Sequence, residues 1–305
     1  MSKSNNFNML GILSITFAMF IWGSSFIALK SAMVDLGEFT VIFFRMLIAS
    51  ACFLYFIKDF IKYNFTKKDI KFIVLLAFFE PCLYFIFEAK AMIYTSASQA
   101  GMITSLMPII TAMAAGYFLK EIISRQLIFG SLIATFGAIW LSVQATTTAS
   151  APNPLLGNFL EFCAMFCAAG YTIVARYLAN RYSAIFITAI QAFIGAIFFL
   201  PFFIYEYTTT DMNFTSTAIG WLFYLGIIVT LGGYGLYNFA LTKIDASKAS
   251  MFIYLIPIFT LILAFVLLKE TLSATELIAS ITILSGVILS QLKFKKLKRI
   301  RVKKV

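Results

Sequence analysis

Three acidic residues, Glu80, Glu88 and Glu161, stand inside long apolar runs of this 305-residue chain. An ionisable group in hydrophobic sequence costs about 3 kcal/mol to place in a bilayer and usually faces a cavity or a partner. Glu80, Tyr84 and Glu88 recur every four residues, which puts them on one face of a helix. Such a stripe can meet a substrate ammonium or hold a coupling proton. The structural alternative is a fixed interhelical ion pair, for instance Glu80 with Arg45. Glu88 and Glu161 lie nearer the ends of their runs, where solvent can take them.

A second group of polar positions accompanies the acids. Trp22, Gly23, Ser24 and Ser25 follow one another in the first apolar run. Their small residues allow helices to approach closely, and Trp22 offers a substrate an aromatic wall with one donor. Tyr234, Tyr237 and Asn238 have helical i, i+3, i+4 spacing after Gly232 and Gly233. Their polar groups need partners in lipid, so they line a cavity or bond between helices. Pro108 and Pro257 each remove a helix hydrogen bond and can serve as hinges or as packing kinks. Glu121 and Glu270 each follow a lysine, Lys120 and Lys269, and read as interfacial ion pairs.

Other chemistry is excluded. The chain has no histidine, which removes His-based acid–base catalysis, the Ser-His-Asp and Cys-His nucleophiles, and His-ligated metals. Cys52, Cys82, Cys163 and Cys167 all lie in apolar runs and read as buried free thiols. Cys163 and Cys167 share a helix face but lack further ligands for a metal. Nothing resembles a P-loop, so ATP is not the direct driver. No cofactor and no metal are expected.

The elements that must position these residues are membrane helices. Hydrophobic residues make up 61% of the chain and charged ones 12%, with mean hydropathy +0.93. A soluble domain is roughly 45–50% apolar and about 25% charged. Apolar windows fall near 10–30, 38–57, 71–90, 97–119, 126–144, 157–177, 184–204, 218–240, 248–268 and 275–292. Each approaches the approximately 20 residues needed to span a bilayer as a helix, and none has the period-2 alternation of a barrel strand. The first reads as a retained span rather than a signal peptide.

The net charge of +11 is not a nucleic-acid signature, because eight basic residues crowd into 293–305. With the N-terminus in the cytoplasm, 20 basic residues fall on the cytoplasmic side. Only Lys30, Lys90 and Lys269 fall outside, and Arg45 lies within a span. The positive-inside rule therefore places both termini in the cytoplasm. The basic tail sets topology and can touch anionic lipid.

The chain also repeats itself. Residues 91–124 align without a gap to 240–273, with 14 of 34 positions identical at an offset of 149. Ser98 pairs with Ser247, Pro108 with Pro257, Lys120-Glu121 with Lys269-Glu270, Ser124 with Ser273, and Gly137 with Gly286. The first spans align at offset 146 through Gly11, Ala18, Met19 and Phe20 with Gly157, Ala164, Met165 and Phe166. The expected fold is an all-α polytopic membrane protein of ten transmembrane helices. Two inverted five-helix repeats, 1–144 and 157–292, surround a central cavity, joined by a linker at 145–156 and followed by the tail 293–305. Five spans per half invert the second copy, an architecture common among secondary transporters.

The stretches FAMFIWGSSFIALK, FFRMLIAS, PIITAMAAGYFLKE and its echo PIFTLILAFVLLKE resemble the EamA-type drug/metabolite transporter superfamily. The likeness covers about 11–143 and 157–290. It implies a ten-helix fold with a central cavity that exports or exchanges amino acids and related metabolites across the cytoplasmic membrane. The second half departs where WGSSF becomes AAGYT and where Arg45 meets Gln191. The expected partners are a small-molecule substrate and membrane lipid, with proton coupling and passive exchange both open. Import by the same fold, a membrane-embedded enzyme and a scaffold are the competing readings. The expected substrate site is Trp22, Ser24, Glu80, Tyr84, Glu88, Tyr234, Tyr237 and Asn238, with Glu80, Pro108 and Pro257 coupling or gating.

Overall fold

The structure, a computed structural model, describes residues 9–118, 125–244 and 249–291. The described residues form ten helical segments, and these lie over the ten apolar windows. They are α1 (Met9–Ala32), α2 (Glu38–Phe60), α3 (Lys67–Tyr94), α4 (97–118), α5 (Arg125–Gln144), α6 (Pro154–Leu178), α7 (Ala184–Thr209), α8 (Ser216–Lys243), α9 (250–268) and α10 (Ala274–Gln291). Among the described residues, seven helices are long and apolar enough to cross a membrane: α1 to α4 and α6 to α8. Apolar stretches within α5, α9 and α10 are shorter. The chain is a multi-pass membrane protein, and exposed Phe17, Phe136 and Ile197 are part of the apolar exterior it turns to lipid.

Side chains set many of the helix starts. Ser96, Asn153, Ser183 and Thr215 each accept a backbone N–H from the first turn of α4, α6, α7 and α8. This satisfies one of the donors that a helix leaves free at its N-terminus. Thr66 and Asp69 form a capping box on α3, and Asp69 is also paired with Arg181 at 2.7 Å. Two glutamates cap helices from a distance. Glu206 of α7 accepts the N–H groups of Phe39 and Thr40 at the start of α2. Glu270 accepts those of Ala97 and Ser98 at the start of α4, together with the Ser98 hydroxyl. Glu270 thus caps a helix, where the sequence suggested an ion pair with Lys269. The matching residues Lys120 and Glu121 lie outside the described residues.

The connections sort into two ends of the molecule. Lys30 donates to the carbonyls of Met92, Thr95 and Ser150, gathering the ends of α1 and α3 and the α5–α6 link. Asp35 receives Asn213 N–H and the Thr215 hydroxyl, which adds the α7–α8 link. The Glu270 contact adds the α9–α10 link. At the opposite end, the Arg181–Asp69 pair joins the α6–α7 link to the start of α3, and Arg176 donates to the Leu241 carbonyl. Lys30 and Arg176 are 146 residues apart, and Met92 and Leu241 are 149 apart.

Helix packing follows the same arithmetic. The main pairings are α5 with α10, α2 with α7, α3 with α6, α1 with α8, α4 with α6 and α1 with α9. Exchanging each helix for the one five places along the chain turns this set into itself. Glycines let α5 and α10 approach closely. A Cβ on Gly137 would stand 2.8 Å from Ile283 N and 3.1 Å from Ala279 O, and one on Gly286 would stand 2.4 Å from Ala134 N and 2.7 Å from Gly130 O. Each contact is the other's counterpart at an offset of 149.

Candidate functional site

The site begins at a break in α3. Pro81 has no N–H to donate and crowds the preceding turn. Glu80 accordingly leaves the helical region, with φ −152° and ψ 120°, inside a widened turn at Phe78–Leu83. Regular helix resumes at Tyr84. The sequence suggested an unbroken helix carrying Glu80, Tyr84 and Glu88 every four residues. The three do face one cavity, but the break delivers Glu80 to it. α8 has a widened turn at Tyr224–Tyr234, which includes the positions 149 residues beyond 78–83. α4 and α9 carry short 3-10 turns at Thr104–Leu106 and Ser250–Tyr254, just before Pro108 and Pro257.

The cavity lies where these irregular helices meet α1, α2 and α6. It is lined by Trp22, Ser25, Phe26, Arg45, Glu80, Tyr84, Glu88, Thr104, Met107, Met165, Ala168, Tyr171, Thr172, Tyr234, Tyr237, Ile253 and Ile256. Six pairs in this lining are repeat-equivalent: Trp22 with Ala168, Ser25 with Tyr171, Phe26 with Thr172, Glu88 with Tyr237, Thr104 with Ile253, and Met107 with Ile256. The chemistry across each pair differs. Both lining acids and the arginine come from α2 and α3, and most of the phenolic wall comes from α6 and α8. The cavity has a volume of about 40 Å³, room for about three or four waters.

Polar contacts on this wall are specific. The Arg45 guanidinium donates from Nε to Thr230 Oγ1 at 2.8 Å and lies 3.7 Å from Glu88 Oε2. Its face covers the Phe85 ring at 4.5 Å. Glu88 also accepts the Tyr84 hydroxyl at 2.8 Å. Glu80 accepts the Tyr234 hydroxyl. The arginine's ion pair is therefore with Glu88, where the sequence suggested Glu80, because the break at Pro81 turns Glu80 towards α8. Trp22 packs on Tyr234 and Tyr237, with ring centroids 4.9 and 4.8 Å away. Its indole N–H is buried without a hydrogen-bond partner among the described residues. Glu161 is fully buried beside Glu88, and neither of its oxygens has a hydrogen-bond partner among the described residues. Glu88 and Glu161 are both buried, contrary to the exposed alternative.

Of the residues singled out from sequence, Trp22, Glu80, Tyr84, Glu88, Tyr234 and Tyr237 line the cavity. Asn238 lies behind it, accepting from Tyr171 at 2.7 Å and donating to Thr188 at 2.9 Å. Ser24 is bonded to the Tyr224 hydroxyl and to Ile21 O, off the lining. Pro108 and Pro257 are also off it, each next to a lining residue, Met107 and Ile256. Sequence reasoning missed Tyr171, Thr172, Phe26 and the cavity position of Arg45, and of the neighbouring serines it placed Ser24 rather than Ser25 in the site. The offset of 146 was a usable signal, since it carries Ser25 and Phe26 onto Tyr171 and Thr172.

Comparison with known proteins agrees with this architecture. A family model described as the EamA-like transporter family matches residues 9–143 and again 155–292. The chain is 28% identical over 289 residues to the uncharacterized transporter YetK of Bacillus subtilis, spanning 93% of this chain and 87% of that one. It is 26% identical over 284 residues to an uncharacterized transporter of Archaeoglobus fulgidus, spanning 92% and 97%. A solved crystal structure shares the fold at a TM-score of 0.65 with 15% identity, covering 92% of this chain and 96% of that one.

Proposed function

We infer that this chain, which belongs to the EamA-like transporter family and is a membrane transporter, works as a secondary transporter of small amphiphilic metabolites. The solutes are amino acids or related compounds, exported or exchanged across the cytoplasmic membrane by alternating access. The observation that carries the reading is the cavity itself. Its polar lining is buried between helices of both halves, at the two points where helices widen or break. Irregular membrane helices are tolerated where they line a cavity, and such sites hold the substrate in many transporters.

Supporting the inverted arrangement are the family model's two matches, the self-mapping helix pairs and the reciprocal Gly137 and Gly286 contacts. On this reading all ten segments span, and α6 to α10 repeat α1 to α5 in the inverted orientation. The Lys30 end faces outside, as the charge count requires. The cavity's size means that the halves must part to admit a metabolite, and the paired widened turns in α3 and α8 are where they bend.

Counterflow in proteoliposomes against a panel of radiolabelled metabolites tests this. Saturable exchange of one chemical class, absent from liposomes holding Glu80→Gln protein, is expected. No exchange of any small amphiphile would overturn the reading. A single cysteine at Thr147 in a Cys-free variant should label from outside with an impermeant reagent, and one at Lys62 should not.

A further inference from the structure

The charges around the cavity do not balance, and we propose that the missing charge is an organic ammonium. Among the amino acids and related compounds proposed above, this narrows the solute to one with an amine and no carboxylate, with Glu80 as its counter-ion and the rings of Trp22, Tyr171, Tyr234 and Tyr237 around it. The proposal rests on the transporter reading only in taking this cavity as the solute's place.

Arg45 is the one cationic side chain among the described lining residues, and its single charge already faces a carboxylate. Nε serves Thr230, the Nη1 edge faces Glu88, and the guanidinium face covers Phe85. Glu88 thereby has its cation, and a phenol besides. Glu80 is as deeply buried, yet its one hydrogen-bond donor among the described residues is the neutral Tyr234 hydroxyl. A buried carboxylate without a cation is costly; it takes up a proton or meets a positive partner, and an arriving ammonium can take the proton's place. A primary ammonium supplies three donors and a compact charge. The tyrosine and tryptophan faces add attraction for a cation that a neutral solute would not feel.

A carboxylate on the same solute works against this arrangement. It would enter a wall already holding Glu80 and Glu88, with fully buried Glu161 behind them. Its natural partner, Arg45, already faces Glu88 at 3.7 Å, so one cation would have to serve two buried carboxylates. Trp22 Nε1 is a further donor in this wall, buried without a partner among the described residues. It suits a neutral acceptor, such as a hydroxyl or carbonyl oxygen, better than it could neutralise an anion.

The test uses matched pairs that differ only by the carboxylate: phenethylamine against phenylalanine, and isoamylamine against leucine. Binding is measured by calorimetry on the purified full-length protein. The expected result is that each amine binds at least about tenfold tighter than its amino acid, a factor worth about 1.4 kcal/mol. Glu80→Gln should lose amine binding by a similar factor while remaining monodisperse. If Glu80→Gln does not fold, Trp22→Leu, which removes a ring and no charge, should weaken amine binding several-fold. Equal or tighter binding of the amino acids, or no binding of either amine, overturns the proposal. Phenylalanine counterflow without amine binding would remove this inference and leave the transporter reading standing. Saturable amine binding by a protein that moves no solute would do the reverse.

Discussion

Tyr234 on α8 donates a hydrogen bond to the carboxyl group of Glu80 on α3, so the widened turn of one half holds the broken helix of the other. Both residues are buried. Tyr234→Phe deletes only the hydroxyl and leaves a buried acceptor unmet, which costs about 1–3 kcal/mol. Thermal unfolding of the purified protein should shift down accordingly, and solute affinity should change with it. An unchanged melting profile together with wild-type affinity would mean that the contact carries neither stability nor function.

The Arg45–Glu88 pair offers a sharper test because its partners can be removed separately. Arg45→Gln installs the side chain found at the equivalent position 191. It leaves Glu88 buried without its cation, a loss of about 3–5 kcal/mol. Adding Glu88→Gln should recover part of the stability, giving a coupling energy above about 0.5 kcal/mol in a double-mutant cycle. Strictly additive losses would show that the two side chains, 3.7 Å apart, do not depend on each other.

At the α5–α10 contact, backbone rather than side chain sets the limit. A Cβ on Gly286 would stand 2.4 Å from Ala134 N, and a helix backbone cannot move aside as a side chain can. Gly286→Ala should cost about 1–3 kcal/mol through overpacking. Gly220→Ala on α8 is the control, since nothing lies within 4 Å of its Cβ position. It should gain up to about 1 kcal/mol from helix propensity. The comparison fails if the two substitutions shift the melting temperature alike.

Sequence periodicity and charge located the helices well because membrane insertion is read over some twenty residues at a time. It located the cavity less well because local departures from helix decide which side chains converge. Pro81 was visible in the third window, yet Glu80, Tyr84 and Glu88 read as one continuous stripe, and that assumption paired Arg45 with the wrong acid. Tyr171 and Thr172 stood out only as a departure of the second half, AAGYT against WGSSF, because their polar neighbours lie on other helices. Glu206 and Glu270 sit at helix ends, where sequence cannot say which distant N-terminus a carboxylate will cap. The repeat arithmetic was more informative than local chemistry, since it pairs twelve of the cavity's lining positions.

Lys30 and Arg176 make equivalent contacts at opposite ends of the molecule. Lys30 draws together the ends of α1 and α3 and the α5–α6 link through three carbonyls, and Arg176 ties α6 to the end of α8 through Leu241 O. A hydrogen bond from a charged donor contributes about 1.5–3 kcal/mol, so each cation can bias a two-state equilibrium by about tenfold or more. If the halves rock to alternate access, Lys30→Met loosens the outer end and favours the outward-open state. Arg176→Met loosens the inner end and favours the opposite state. The readout is labelling of Ser25→Cys, in the cavity wall, by an impermeant thiol reagent applied outside a Cys-free background. Lys30→Met should speed labelling several-fold and Arg176→Met should slow it. Changes of the same sign, or none in either variant, would mean that these cations hold the fold without controlling which end opens.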